Sequence, residues 1–196
     1  MTRPQCVVIA GPNGAGKTSA APELLKDTVG VSTFVNADVI AEGLAAFGPE
    51  AVSLEAGRIM LKRLAGLADA SEDFAFESTF SGRSVLRLMD RAAGRGYDVH
   101  VYYLWLPSAD LALARVKHRV AIGGHDVAED VVRRRYRRSL RNVRRLWTGG
   151  ATTWRMYDAS AAGPPQLIAF GARDQQATVV DSARWTEVLR QIEEAG

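Results

Sequence analysis

The fold is decided by Gly11-Pro12-Asn13-Gly14-Ala15-Gly16-Lys17-Thr18, a glycine loop that follows the apolar run Cys6-Val7-Val8-Ile9-Ala10. The apolar run predicts a buried parallel strand, and a helix is expected after the loop. Glycines at this spacing let successive backbone N–H groups point inward, toward the positive end of the helix dipole. The stretch therefore predicts a phosphate-binding loop. We expect it, together with Ser19, to bind ATP, with Lys17 on the β- and γ-phosphates and Thr18 on Mg²⁺.

The bulk composition is that of one ordinary globular domain. The chain has 196 residues, of which 47% are hydrophobic and 24% charged, so it can bury a core without disulfides or a structural metal. We expect a single domain over residues 1–196, with its core at about 5–171 and a C-terminal strand and helix in 172–196. Cys6, the one cysteine, is predicted to be a small buried hydrophobic residue.

Two absences bear on where the protein works. The glycine loop begins at Gly11, which leaves no room for a signal peptide before it. No apolar stretch approaches the roughly 20 residues of a membrane span. We expect a cytoplasmic protein with no membrane partner.

Apolar and amphipathic segments alternate along the rest of the chain. This alternation predicts the three-layer α/β fold of P-loop NTPases, kinase-like, with a parallel central sheet and helices on both faces. A break at Gly48-Pro49 is expected to separate two helices. The later strands are predicted at 33–36, 73–77, 98–106, 154–158, 166–170 and 177–180, and the later helices at 82–93, 108–120, 128–146 and 182–194.

Polar residues follow the second and third strands, at the end of the sheet where ligands bind. Asp38 is the candidate catalytic base, since a kinase needs a carboxylate near the acceptor hydroxyl; its alternative role is to cap the next helix. Glu77 is a candidate for contact with the substrate or a magnesium-bound water, and its alternative is a salt bridge or cap. Thr79, Ser81 and Arg83 either bind a polar substrate or cap the helix near Gly82.

A further segment has the composition of a lid over ATP. Arg115 and Arg119 lie four residues apart on one helix face, and Gly123-Gly124 and His125 follow. We expect these arginines to meet the phosphates as charge develops, with His125 nearby. The alternative is a surface turn with two solvated arginines.

The helix over 128–146 carries eight arginines, and at a period of 3.6 all but Arg135 fall on one side. Three interpretations stay open: a solvated basic face, anion contact through first-turn arginines such as Arg134, and nucleic-acid binding. Nucleic acid is not the expected partner, because no exposed aromatic residues alternate with the arginines.

Several blocks in order make the chain resemble the short, stand-alone branch of the zeta toxin family of P-loop kinases. Beside the glycine loop they are Phe34-Val35-Asn36-Ala37-Asp38, Phe76-Glu77-Ser78-Thr79-Phe80-Ser81-Gly82-Arg83, Gly123-Gly124-His125, Arg133-Arg134-Arg135-Tyr136 and Trp154-Arg155-Met156-Tyr157-Asp158. The resemblance implies a kinase-like fold and, as in the better-known toxins, ATP-dependent phosphorylation of UDP-N-acetylglucosamine and an antitoxin partner. It also implies that Asp38 is the catalytic carboxylate, that Glu77 and Thr79 contact substrate, and that Arg115 binds phosphate.

The sequence thus predicts a Mg-ATP-dependent kinase that phosphorylates a hydroxyl of a small polar metabolite, such as a nucleotide sugar. Two alternatives stay open: a P-loop protein that only hydrolyses or senses nucleotide, and a nucleic-acid kinase or binding protein that uses the basic helix.

Overall fold

The computed structural model describes residues 2–26, 31, 33–44 and 49–196, with backbone alone for 49–51 and 53. Strands and helices alternate through most of these residues, as the sequence predicts. The elements are β1 Gln5–Ala10, α1 Lys17–Leu25, β2 Thr33–Val35, α2 Ala37–Leu44, α3 Pro49–Asp69, β3 Phe74–Ser78, α4 Arg83–Gly94, β4 Asp98–Trp105, α5 Ala109–Ala121, α6 Glu129–Val143, β5 Thr153–Asp158, β6 Gln166–Ala172, β7 Thr178–Val179 and α7 Ser182–Glu194.

The strands form one sheet in the order β2-β3-β1-β4-β5-β6-β7. The first five are parallel, and β6 and β7 continue the sheet antiparallel. The predicted α/β fold is confirmed, with an antiparallel edge added to its parallel centre. In a parallel sheet the carboxyl ends of the strands share one edge, so the residues that follow β1, β2 and β3 meet there.

Side chains of β1 alternate between the two faces of the sheet, as a strand requires. Cys6, Val8 and Ala10 belong to the main core beneath α3 to α7. Val7 and Ile9 belong to a smaller cluster that α1 covers through Ala21. Cys6 is fully buried, as predicted, and burial raises the pKa of its thiol to about 12.

A buried polar network fixes α6 and α7 against the end of β4. The Gln191 side chain accepts hydrogen bonds from Trp105 Nε1 at 3.1 Å and from the Tyr136 hydroxyl at 2.9 Å. It also donates to the Pro107 carbonyl at 2.6 Å. Satisfied buried polar groups of this kind favour one arrangement of the packed elements, and this arrangement sets the position of α6 beside the site.

Several predicted boundaries differ from the observed ones by one or more residues, and two of the differences bear on the candidate residues. The second strand ends at Val35 and α2 begins at Ala37, so Asp38 lies in the first turn of a helix and not at a strand end. The helix predicted over 128–146 becomes 3₁₀ from Arg144 to Leu146. Pro49 begins α3 as expected, while Gly48 lies outside the described residues.

Candidate active site

The phosphate loop joins β1 to α1, and backbone atoms dictate its shape. Gly11 has φ +145°, and a Cβ there would lie 2.4 Å from the Leu104 carbonyl oxygen. Gly14 has φ +76°, and a Cβ would lie 2.7 Å from the Ala112 carbonyl oxygen. Gly16 caps α1 at φ 76°. Side chains are disfavoured by backbone angle at all three positions and by space at the first two.

The Lys17 side chain folds back over this loop. Its Nζ donates hydrogen bonds to the carbonyl oxygens of Gly11 and Pro12, both at 3.0 Å. Burial lowers the pKa of Lys17, and the carboxylates of Glu77 and Asp38 oppose that shift. The ammonium is therefore held at the mouth of the loop, where a phosphate would replace the two carbonyl contacts.

Glu77 connects the phosphate loop with the neighbouring strand. Its Oε2 accepts from Thr18 Oγ1 and its Oε1 accepts from Asn36 Nδ2, both at 3.0 Å. The side chain is only 8% exposed. Burial raises the pKa of Glu77, although the Lys17 charge acts in the opposite direction. One carboxylate therefore brings the ends of β1, β2 and β3 together.

Asn36 is a candidate site residue that sequence reasoning did not assign. Its Oδ1 accepts from the backbone N–H of Asp38 at 2.7 Å, and its carbonyl accepts from Ile40 N at 3.2 Å. Asn36 thus caps α2, the role that was the alternative for Asp38. The Asp38 carboxylate is exposed and lines the cleft. The preference of Asn for helix N-caps is a signal that could have identified Asn36.

The loop after β3 is held in an uncommon conformation. Phe80 is fully buried at φ 57°, a region that residues other than glycine rarely adopt. Its carbonyl accepts from Asn142 Nδ2 at 2.9 Å, and its N–H donates to Ser78 Oγ at 2.9 Å. The flanking Thr79 and Ser81 share a hydrogen bond of 2.8 Å and line the cleft.

The helix-capping alternative for this loop is not what the structure shows. Gly82 occupies the N-cap of α4, which has no side-chain capping bond. Arg83 is exposed and does not line the cleft. The substrate contact of Arg83 stays a prediction that this arrangement does not support.

The predicted lid lies across the cleft from the phosphate loop. Gly123 ends α5 at φ +91°, and a Cβ on Gly124 would lie 2.5 Å from Arg119 Cγ. Arg119 Nη2 donates to the His125 carbonyl at 2.7 Å, and both residues line the cleft. Arg119 Nε is buried without a hydrogen-bond partner among the described residues, so it can serve a ligand.

Arg115 is bound differently from the predicted phosphate contact. Its guanidinium donates to the carbonyls of Ala159 at 2.6 Å and Ser160 at 2.7 Å. A longer contact of 3.5 Å reaches the Gly14 carbonyl. Arg115 lines the cleft while it holds α5 against the phosphate loop and the loop after β5. Its catalytic role stays a prediction.

Two arginines of α6 and one of the 3₁₀ turn that follows it form ion pairs on the exposed side. Arg133 contacts Glu129 at 2.9 Å and Asp110 at 2.7 Å, and Arg145 contacts Asp90 at 2.7 Å. Arg134 pairs with Asp130 at 3.6 Å and does not line the cleft, so the structure does not add support to its predicted substrate contact. This pattern favours the solvated basic face over a nucleic-acid surface.

Arg135 is the arginine of α6 that does line the cleft, one helical turn after Val131. Sequence reasoning separated it from the other arginines but gave it no role. The helical periodicity that set it apart was the available signal. It is half-buried. Burial lowers the pKa of Arg135, and the Asp38 charge opposes that shift.

The cleft that these elements enclose has a volume of about 1270 Å³. A drug-sized ligand occupies a pocket of roughly 300–1,000 Å³, so the cleft has room for a nucleotide and an acceptor together. The described residues contain no cluster of three or more His, Cys, Asp or Glu that could hold a metal. No helix in the same part of the chain is long and apolar enough to cross a membrane.

Sequence comparison identifies relatives of this chain. The zeta toxin family matches residues 1–151. The chain is also 33% identical over 132 residues to an uncharacterized protein of Haemophilus influenzae, covering 67% of this chain and 92% of that protein. The resemblance inferred from the sequence blocks is confirmed.

Solved structures share the fold. The AvrRxo1-ORF1:-ORF2 complex with ATP matches with a TM-score of 0.74 and 17% identity over 95% of this chain. This chain spans 63% of that solved chain. A structure of the PezAT toxin–antitoxin system of Streptococcus pneumoniae matches all of this chain and 86% of its own, with a TM-score of 0.62 and 14% identity. From the sequence match, the chain belongs to the zeta toxin family, and the solved structures share its fold.

Proposed function

We propose that this protein transfers the γ-phosphoryl group of ATP to a hydroxyl of a small polar metabolite, with a nucleotide sugar such as UDP-N-acetylglucosamine as the first candidate acceptor. One observation carries the proposal. Glu77 binds both Thr18 of the phosphate loop and Asn36, and Asn36 in turn positions the helix turn that bears Asp38. A phosphate-binding loop and an exposed carboxylate therefore share one cleft.

Donor binding rests on the phosphate loop. Lys17 and the loop N–H groups are assigned to the phosphates of ATP, and the unpartnered Arg119 Nε offers a further donor from the lid. Pro12, Asn13 and Ala15 complete the loop with the glycines and Ser19. The Thr18 hydroxyl beside the Glu77 carboxylate fits the oxygen ligands that Mg²⁺ prefers. When bound, Mg²⁺ would neutralise phosphate charge and orient the donor.

Acceptor binding falls to the other side of the cleft. Thr79, Ser81 and His125 line it with groups that can hydrogen-bond hydroxyls. Asp38 is assigned as the base that takes the acceptor proton, since its carboxylate is exposed to the cleft and is not used as a helix cap.

A mass measurement tests this proposal. The protein is incubated with Mg-ATP and either UDP-N-acetylglucosamine or a bacterial metabolite extract, and products are examined for a gain of one phosphoryl group. Lys17→Ala is expected to remove the product, because the ammonium that meets the phosphates is lost. Lys26→Ala, an exposed lysine of the same segment, is the matched control. Equal ATP turnover with and without acceptor would contradict transfer and indicate a nucleotide-hydrolysing protein.

A protein partner is the second part of the proposal. One structure with this fold comes from a toxin–antitoxin system, which supports an inhibitory partner protein for this chain. We expect expression of the wild type alone to slow bacterial growth and Lys17→Ala to relieve the effect. Identical growth of the two strains at equal protein levels would contradict a toxic role.

A further inference from the structure

We propose that Arg135 is the arginine that stabilises the phosphoryl group while it is transferred from ATP in the phosphate loop to the acceptor hydroxyl at Asp38. The proposal rests on the proposed kinase function. It assigns to Arg135 the role that sequence reasoning gave to Arg115.

The position of Arg135 follows from one face of α6. Val131 and Arg135, spaced one turn apart, both line the cleft. Farther along the helix, Ser139 bonds the Tyr103 hydroxyl at 2.8 Å and Asn142 holds the Phe80 carbonyl at 2.9 Å. The helix is thus fixed to β4 and to the loop that carries Thr79 and Ser81. Arg135 lies on this fixed helix, between the lid and the acceptor loop.

Arg135 shares its cleft with the groups assigned to both reactants, since Lys17 and Asp38 line the same cleft. It lies close enough to Lys17 to help lower the pKa of that ammonium, and close enough to Asp38 for the carboxylate to raise the pKa of Arg135. Lys17 marks the donor phosphates and Asp38 marks the acceptor hydroxyl. A guanidinium that lines the cleft together with both groups is available to the phosphoryl group during transfer.

The arginines of the cleft differ in what already binds them. Arg115 donates to backbone carbonyls of the loop after β5, and Arg119 donates to the His125 carbonyl. Arg135 is half-buried and forms no hydrogen bond or ion pair within the described residues. The Asp38 charge compensates the burial of Arg135 in part. A desolvated cation without a hydrogen-bonded partner is costly, so negative charge arriving in the cleft would offset the remaining cost.

The step it would assist is an in-line displacement. The acceptor oxygen forms a bond to the γ-phosphorus while the bond from that phosphorus to the β,γ-bridging oxygen breaks. ADP leaves with the electron pair of the broken bond, and the acceptor proton passes to the Asp38 carboxylate. Arg135 would meet charge on the equatorial oxygens, which a fixed donor stabilises most in the transition state.

Binding of ADP with Mg²⁺ and aluminium fluoride tests this role without an acceptor, because the fluoride complex mimics the planar phosphoryl group. Wild type is expected to bind ADP at least about 100-fold more tightly when the complex forms. Arg135→Gln should lose about 10- to 100-fold of that gain and keep its affinity for ADP alone. Arg135→Lys should retain part of the gain. Arg134→Gln, the neighbouring ion-paired arginine, should retain all of it.

Three results would overturn the proposal. The first is a full gain in folded Arg135→Gln, shown to be folded by an unchanged thermal transition. The second is an equal loss in Arg134→Gln. The third is a wild type that binds ADP but gains nothing from aluminium fluoride. A wild type that binds neither ADP nor ATP would instead contradict the proposed kinase function and this inference with it.

Discussion

The phosphate loop takes its shape from backbone atoms, whereas the opposite side of the cleft is assembled from side chains on separate elements. In the loop, Gly11 and Gly14 fix the path because a Cβ at either position would meet a carbonyl oxygen. Across the cleft, Asn36, Glu77 and Arg135 come from β2–α2, β3 and α6. The path of the phosphate loop is therefore set by close backbone contacts, whereas the other groups of the cleft come together only because separate elements pack against one another.

The largest loss of stability is expected at Gly11, where neighbouring backbone atoms leave no room for a side chain. Gly11→Ala would place a Cβ 2.4 Å from the Leu104 carbonyl oxygen at φ +145°, and we expect a loss of about 3 kcal/mol or more in the free energy of unfolding. Denaturant unfolding measures it. Gly66→Ala is the matched control, since a Cβ there meets nothing within 4 Å and should stabilise α3 by about 0.5–1 kcal/mol. Similar unfolding curves for the two variants would contradict this account of the loop.

Glu77→Gln tests the part of the cleft that is formed by side chains from separate elements. The amide can keep both hydrogen bonds, since Thr18 can accept where it now donates, but the negative charge is lost. We expect phosphoryl transfer to fall by about 100-fold while Tm at pH 7.5 rises, because burial disfavours the charged carboxylate. Transfer assays and thermal unfolding measure the two effects.

The pH dependence of that stability gain has a definite sign. Burial raises the pKa of Glu77 above its ordinary value of 4.5, so folding favours the protonated carboxyl. The wild type therefore loses stability as pH rises through the folded pKa, and Glu77→Gln does not. The two proteins should have similar Tm values near pH 4 and diverge toward neutral pH. A variant less stable than wild type at pH 7.5 would show that the charge is needed for the fold.

A smaller loss of activity is expected from a substitution in the predicted lid, at Gly124. Gly124→Ala would bring a Cβ to 2.5 Å from Arg119 Cγ, and the arginine must move from its contact with the His125 carbonyl. We expect kcat to fall by about tenfold. Tm should fall as well, because the same Cβ would lie 2.9 Å from the backbone carbonyl oxygen of Arg119. Ile122→Ala is the control, as Ile122 is 74% exposed beside the same turn. Unchanged kcat in Gly124→Ala would separate the lid from catalysis.

The same contrast explains which features of the fold and of the candidate site could be predicted from the sequence. The strand, glycine loop and helix at the start of the chain are set by neighbouring residues, so their identity and order were predictable. The closing helix was also predicted to its residue, Ser182–Glu194, because a capping Asp and apolar periodicity mark it locally. Family membership followed from blocks that keep a fixed order.

The positions of the site arginines could not be predicted in the same way, because they depend on contacts between residues far apart in the sequence. Arg134 and Arg135 are adjacent in sequence, yet one pairs with Asp130 in solvent and the other lines the cleft. Only the packing of α6 on β4, through Ser139 and Tyr136, distinguishes them. Arg115 was similar: helical spacing placed it on the cleft side, but the carbonyls of 159 and 160 that bind it belong to a loop more than 40 residues away.

One measurement tests the central claim most directly: single-turnover transfer from γ-labelled ATP to a metabolite extract, compared between wild type and Asp38→Asn, with ATP affinity measured in parallel. Loss of the carboxylate that accepts the proton should slow transfer by about 10²–10⁴-fold and leave ATP affinity within about threefold, since the phosphate loop keeps its own contacts. Transfer by Asp38→Asn at the wild-type rate would contradict the account.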